Sequence, residues 1–303
     1  MRYGFTDKDI ANITREFGRG FYHKMLADLE IYCDRWQLTI LQLVDYFSVN
    51  CVFLCCSELH GDCVLKICDN SPEWYTRECN ALREYNGRRH CRILDADLKN
   101  GALLIERIIP GTQLKHEPSL DKRLSVFMTL FDGLHVAPED PALHPSYIDR
   151  LAEMTAAMRK QEGHVRLRLC LEKAMRLCQE ISSVYNEKML LHGDLHYDNI
   201  LLGSDGEYVI IDPQGLVGDP VFDLSRYLVN EYWDDKASTT PEERKRYMLG
   251  IFDVLARGLR LPRELFAKLF FIDMAIVSYW GAQDGGWPGY DETALVFAED
   301  LIQ

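Results

Sequence analysis

The sequence is short of positive charge. Its 34 lysines and arginines stand against 47 acids, a formal net charge of -13 over 303 residues, so no basic domain is available to grip a nucleic-acid backbone. It also lacks the cysteine patterns of a metal module: the ten cysteines include no paired C-x-x-C elements and no ligand cluster of zinc-site form. They lie among Val, Leu and Ile, which predicts small core residues in a reducing cytoplasm rather than disulfides. The opening stretch MRYGFTDKDI has no signal-peptide apolar core, and the most apolar late stretch, LFFIDMAIVSYW, is short and interrupted by Asp273. Both predict a soluble chain without a membrane partner. Internal repeats and low-complexity tracts are absent too. What remains, 47% hydrophobic, is enough for a full core and for two lobes.

Chemistry concentrates in residues 190–215, LLHGDLHYDNILLGSDGEYVIIDPQG. Residues 200–202 and 208–211 predict two short strands, with Ser204-Asp205-Gly206 as their hairpin turn. His192, Asp194, Asn199 and Asp212 fall at the strand ends. A lone aspartate beside a glycine is ordinarily a turn or a helix cap. Here H-x-D-x-x-x-x-N, followed by an aspartate at a strand end, matches the phosphoryl-transfer template in residue type and order. In that template Asp194 orients a substrate hydroxyl and accepts its proton, while Asn199 and Asp212 offer hard oxygen ligands for Mg2+ beside nucleotide phosphates. Asp198 borders this set, either approaching the metal or a cationic substrate, or forming a solvated turn.

The stretch resembles the aminoglycoside phosphotransferase superfamily, whose catalytic segment reads HGD-x-x-x-x-N and whose later metal aspartate follows an apolar strand as I-D-x. IDPQGLVGDPVFDLSRY, with the upstream ALREYNG, CRILDAD and GALLIERIIPG, is closer to its streptomycin 6-kinase and hydroxyurea phosphotransferase branch. The resemblance covers most of residues 50–230. It implies an α+β, protein-kinase-like two-lobed fold, with a small lobe built on an antiparallel sheet over 1–107 and a mainly helical large lobe over 108–303. ATP and Mg2+ are the implied cofactors, and a small hydroxyl-bearing molecule is the acceptor. It also implies that His192 braces the catalytic loop and that Asp223, at the start of DLSRYL, supports that loop through hydrogen bonds.

Along the chain, residues 7–32 have helical periodicity and predict packing and lid material. Residues 38–47, 52–56 and 63–67 predict three strands. The connection at 48–50, which in a kinase lies over the phosphates, contains no glycine. It leaves backbone N–H groups and the side chains of Ser48 and Asn50 as phosphate contacts. Lys66, in VLKI, is either an edge residue or a buried cation in need of a partner. The resemblance implies that it touches the nucleotide phosphates and pairs with a helix glutamate, and Glu78 fits that role better than Glu84. Residues 91–94 and 102–105 predict two more strands joined by a polar turn over 95–101, after which the family's hinge would present the backbone of Glu106 to Ile108 to adenine.

Helices are expected over 120–135, 147–160 and 165–186, with His135 as a capping or packing residue, and throughout 241–303. Asp273 interrupts an apolar helix there and must face the acceptor or pair with a cation. Glu231, Asp234, Asp235, Asp273, Asp284 and Trp287 are candidate acceptor contacts, because carboxylates and an aromatic ring suit a guanidine or amine. The expected function is ATP-dependent O-phosphorylation of a streptomycin-like molecule. The alternatives are a kinase for a sugar, choline-like or fructosamine-type metabolite, or an idle kinase-like scaffold that binds nucleotide or a protein partner.

Overall fold

In the structure, a computed structural model, residues 3–44, 50–68, 72–235, 237–284 and 291–303 are described. Helix α1 (Asp7–Arg35) starts at a capping box in which the Thr6 hydroxyl accepts from the Asp9 N–H and the Asp9 carboxylate accepts from the Thr6 N–H. Phe21, Met25, Leu29 and Tyr32 form a buried stripe at helical spacing. That stripe covers one face of an antiparallel sheet made of β1 (Leu38–Leu43), β2 (Asn50–Ser57), β3 (Gly61–Cys68), β4 (Ile93–Asp97) and β5 (Ala102–Glu106), in the order β1-β2-β3-β5-β4. The helix is therefore core to this unit rather than a lid.

Alternation along β3 divides its side chains. Cys63, Leu65 and Ile67 enter the cluster under α1, whereas Val64 packs on the other face against α2 (Pro72–Tyr85), whose Tyr75, Cys79 and Leu82 meet Leu103 and Ile105. Lys66 shares the face of Val64, two residues away on a period-2 strand. Strand β4 runs further than its apolar residues predict, because Asp95 accepts from the Trp36 indole at 2.6 Å and Asp97 from Arg35 at 3.3 Å. All ten cysteines are free, and eight are buried.

The sheet unit comprises Met1–Thr112, ending within β6 (Pro110–Gln113), together with Leu202–Ile211. The sequence suggests a single cut at 107. The later segment joins this unit because Ile210 exchanges backbone hydrogen bonds with Arg89 and Cys91, while Val209 and Ile211 pack against the α2 cluster.

The second unit, Gln113–Leu201 and Asp212–Gln303, is mainly helical. It contains α3 (Leu120–Phe131), α4 (Tyr147–Arg159) and α5 (Val165–Val184), followed by β7 (Met189–Leu191). The hairpin β8 (Ile200–Gly203) and β9 (Tyr208–Ile210) comes next, as the Ser-Asp-Gly turn predicts, with Gly203 N–H donating to Glu207 O at 2.8 Å. Then follow β10 (Leu216–Gly218), α6 (Leu224–Asp234), α7 (Pro241–Leu259), α8 (Arg263–Asp284) and α9 (Glu292–Asp300). Strand β10 pairs antiparallel with β7, matching Leu191 to Leu216. Helix α8 is apolar on every side and long enough to cross a membrane, so the expectation that this stretch is too short does not hold. Most of it is buried among α4, α5, α6, α7 and α9, as a central core helix is.

Candidate active site

The catalytic-loop residues are placed by the β7–β10 pair. His192 follows β7 directly, and its carbonyl accepts from the Gln214 N–H at 2.6 Å. Gly193 has φ 79°, and a Cβ there would lie 3.0 Å from the Leu216 side chain and 3.2 Å from that of Gln214. Only glycine fits both conditions. Asp223 then grips the loop: its two carboxylate oxygens accept from the N–H groups of His192 and Gly193, each at 2.7 Å, and His135 Nε2 lies 3.0 Å from Oδ2. The His192 ring is fully buried and its Nδ1 accepts from the Asp194 N–H at 3.1 Å. His192 is thus committed to the loop's own hydrogen bonding.

Asp194 Oδ1 lies 3.4 Å from Arg226 Nη1, and Oδ2 lies 3.7 Å from His196 Nε2. Burial alone would push this carboxyl up, but Arg226, then His196 and His192, outweigh it and hold Asp194 well below the ordinary carboxylate range. It is therefore ionised and able to accept a hydrogen bond from a hydroxyl. Burial also works against charge on His196, yet Asp194 and Asp198 raise it to about 9.

Asn199 donates through Nδ2 to Asp194 O at 3.1 Å, which directs its amide oxygen to other partners. Asp212 sits at φ 62°, a left-handed conformation that Asp and Asn visit more readily than other residues with a Cβ. One amide oxygen and one carboxylate make a hard-oxygen donor set that fits Mg2+, which takes few protein ligands and completes its shell with phosphates and water. Among the described residues, no group of three or more His, Cys, Asp or Glu side chains is arranged to hold a metal on its own.

In the sheet unit Lys66 is 3% exposed and its Nζ lies 2.5 Å from Glu78 Oε1. Asn50 opens β2 opposite Cys68, and Ser48 lies outside the described residues. The Glu106 side chain turns to Arg92, which reaches Oε1 at 3.0 Å and Oε2 at 3.2 Å. Any nucleotide contact at the 106–108 segment therefore falls to the backbone, and Ile108 is half-buried beside it.

The acids expected to meet the acceptor are largely engaged inside the helical unit. Glu231 is 1% exposed and accepts from Arg123 Nε at 3.2 Å, Arg123 Nη2 at 3.1 Å and the Tyr247 hydroxyl at 2.7 Å. Asp235 is buried, accepts from the N–H groups of Ala237 and Ser238, and lies 3.7 Å from Arg244. Asp273 is buried against Arg226. Those three are internal ion-pair partners rather than a free acidic wall. Asp234 is exposed and accepts from the Tyr197 hydroxyl at 2.8 Å. Asp198 pairs with Lys115 and lies 3.4 Å from His196. Trp287 and the side chain of Asp284 lie outside the described residues.

Arg226, His196 and Lys115 are site residues that sequence reasoning did not single out. Arg226 was visible within DLSRYL, but its partners come from other parts of the chain. A pocket in the helical unit brings Gly193 together with Arg150, Gln214, Arg226, Asp273 and Trp280.

Comparison with known proteins agrees with this geometry. Residues 45–285 match the family described as aminoglycoside/hydroxyurea antibiotic resistance kinase. A streptomycin 6-kinase of Streptomyces glaucescens is 26% identical over 94% of this chain and 92% of its own length. One from Streptomyces griseus is 29% identical over 67% of this chain and 66% of its own. A hydroxyurea phosphotransferase of Kitasatospora aureofaciens is 33% identical over 50% of this chain and 46% of its own. Among solved structures, aminoglycoside phosphotransferase APH(4)-Ia has a TM-score of 0.62 at 13% identity, covering 92% of this chain and 98% of that one. A choline kinase from Streptococcus pneumoniae has a TM-score of 0.61 at 12% identity, with the same coverage. At these identities the two structures establish the kinase-like fold alone.

Proposed function

Because the chain belongs to the aminoglycoside/hydroxyurea antibiotic resistance kinase family and is thereby an ATP-dependent phosphotransferase, we propose that it phosphorylates a hydroxyl group of a streptomycin-like aminoglycoside. The carrying observation is the Asp194 carboxylate, kept ionised by Arg226 and His196 on a loop that Asp223 pins through two backbone N–H groups. Such a group orients the acceptor hydroxyl and takes its proton as the phosphoryl group transfers. Lys66, held by Glu78, binds nucleotide phosphate oxygens, and Asn199 with Asp212 holds Mg2+. The ion, when bound, neutralises charge on the phosphates. Ten free cysteines support a reducing compartment such as the cytoplasm.

Similarity to streptomycin 6-kinase over 94% of the chain supports the acceptor class. The test is transfer from ATP to a panel of streptomycin, hydroxyurea, choline and a neutral sugar, with calorimetric titration of ATP-Mg2+. Asp194→Asn should lower turnover by roughly 10²- to 10⁴-fold while nucleotide binding stays nearly intact. Asp212→Ala should instead weaken the Mg2+-dependent part of nucleotide binding. Near-normal turnover of Asp194→Asn with every accepted substrate would remove Asp194 from the mechanism. A preference for choline or the sugar over streptomycin would move the acceptor class and leave phosphotransfer standing.

A further inference from the structure

We infer that Arg226 is a positioning residue for Asp194, a guanidinium clamp anchored by Asp273 and Trp280 that fixes the carboxylate at the rim of the pocket beside Gly193. The inference rests on the role proposed for Asp194. Arg226 sits in the first turn of α6, three residues after Asp223, so one short stretch grips the loop twice. Asp223 holds the backbone of His192 and Gly193, and Arg226 reaches the Asp194 side chain with Nη1 3.4 Å from Oδ1.

The other edge of the guanidinium is committed to α8. Arg226 Nη2 donates to Asp273 Oδ1 at 3.2 Å, and Nε lies 2.7 Å from Asp273 Oδ2 as a charge contact. The guanidinium also lies over the Trp280 ring, with Cζ 4.9 Å from its centroid. The cation is therefore held by a hydrogen bond and close charge contact to Asp273 on one side and by an aromatic face on another, and it meets Asp194 through a charge contact at Nη1. Lysine, a point charge on a flexible stem, cannot reproduce that arrangement.

Asp273 is 3% exposed among the apolar side chains of α8 from Leu269 to Val277. A buried ion pair is weak evidence for stability, because desolvation offsets most of its attraction. Its contribution here is geometric. An Asp side chain swings about two single bonds, and Arg226 limits that swing at the atom that must meet the acceptor hydroxyl. Arg226, Asp273 and Trp280 all line the same pocket as Gly193, the residue that precedes Asp194.

The experiment compares wild type, Arg226→Ala, Arg226→Lys, the double variant Arg226→Met/Asp273→Leu, and Asp194→Asn. The rate read is phosphoryl transfer from ATP-Mg2+ to streptomycin, or to water when streptomycin is not accepted. It is measured beside ATP-Mg2+ affinity by calorimetry and the Tm of each variant. The double variant removes both partners of the Arg226–Asp273 pair and leaves Asp194 its contact with His196, so it keeps the test valid where Arg226→Ala folds poorly. Displacing a reacting group by an ångström costs about 10²-fold. A fall of that order in kcat is expected for Arg226→Ala and the double variant, with nucleotide affinity nearly unchanged. Arg226→Lys should be intermediate, and added guanidinium chloride should partly restore Arg226→Ala. With Asp194→Asn inactive, wild-type kcat per folded molecule in both the double variant and Arg226→Lys overturns this inference alone, even if their Tm is lowered. An active Asp194→Asn overturns the role of Asp194 itself.

Discussion

Lys66 shows how a single buried cation is made tolerable. It lies on the α2 side of β3 with 3% exposure, and the Glu78 carboxylate 2.5 Å away supplies the opposite charge. A charge-assisted hydrogen bond contributes about 1.5–3 kcal/mol, so loss of a phosphate contact from Lys66 should weaken ATP binding by roughly 10- to 10²-fold. Lys66→Met is expected to show this by calorimetry, and Glu78→Gln should give a smaller loss, since the lysine then remains but is less firmly held. Unchanged ATP affinity in Lys66→Met would reduce the pair to a structural feature. The pairing itself was legible in the sequence. A lysine flanked by apolar residues on a strand is either an edge residue or a buried cation in need of a partner, and the family resemblance implies a helix glutamate, for which Glu78 fits better than Glu84. The Arg226 contacts were not legible, since Asp273 is 47 residues away and Asp194 belongs to another element.

At the scale of elements, the helical unit is tied together by acids that the sequence alone would place at the surface. Glu231 on α6 joins Arg123 of α3 and Tyr247 of α7, three helices meeting at one carboxylate. Truncating one partner of a buried ion pair costs about 3–5 kcal/mol, because the other charge is left without compensation. Glu231→Ala should therefore lower the unfolding free energy by that order in a denaturant titration, with kcat/KM per folded molecule unchanged. A raised KM for streptomycin with unaltered stability would return Glu231 to the acceptor site. The C-terminal half of β4 follows the same logic. Asp95 and Asp97 have little intrinsic preference for a strand, and contacts from Trp36 and Arg35 extend it into the predicted turn.

For the molecule as a whole, the net charge of -13 remains after these internal pairs have formed, because pairing moves no charge off the chain. It sets a long-range field that attracts cations and repels anions. The screening length shrinks from about 30 Å at 0.01 M salt to about 8 Å at 0.15 M. The kcat/KM for streptomycin, a polycationic acceptor, should therefore fall as salt rises over that range, while a neutral hydroxylic acceptor responds little. An equal response of the two acceptors would exclude electrostatic steering as a source of preference.

The sequence by itself determined what depends on near neighbours: the Ser-Asp-Gly hairpin, the helical stripes, and the chain order of His192, Asp194, Asn199 and Asp212. Each follows from a local period or a forbidden backbone conformation, which a few consecutive residues are enough to impose. Only the tertiary structure decided which acids are spent on arginines, that residues 202–211 pack with the sheet unit, and that Asp194 is flanked by Arg226 and His196. Those outcomes depend on how helices rotate and pack against one another. Arg123 and Glu231 are 108 residues apart, and no local pattern encodes so distant a pairing.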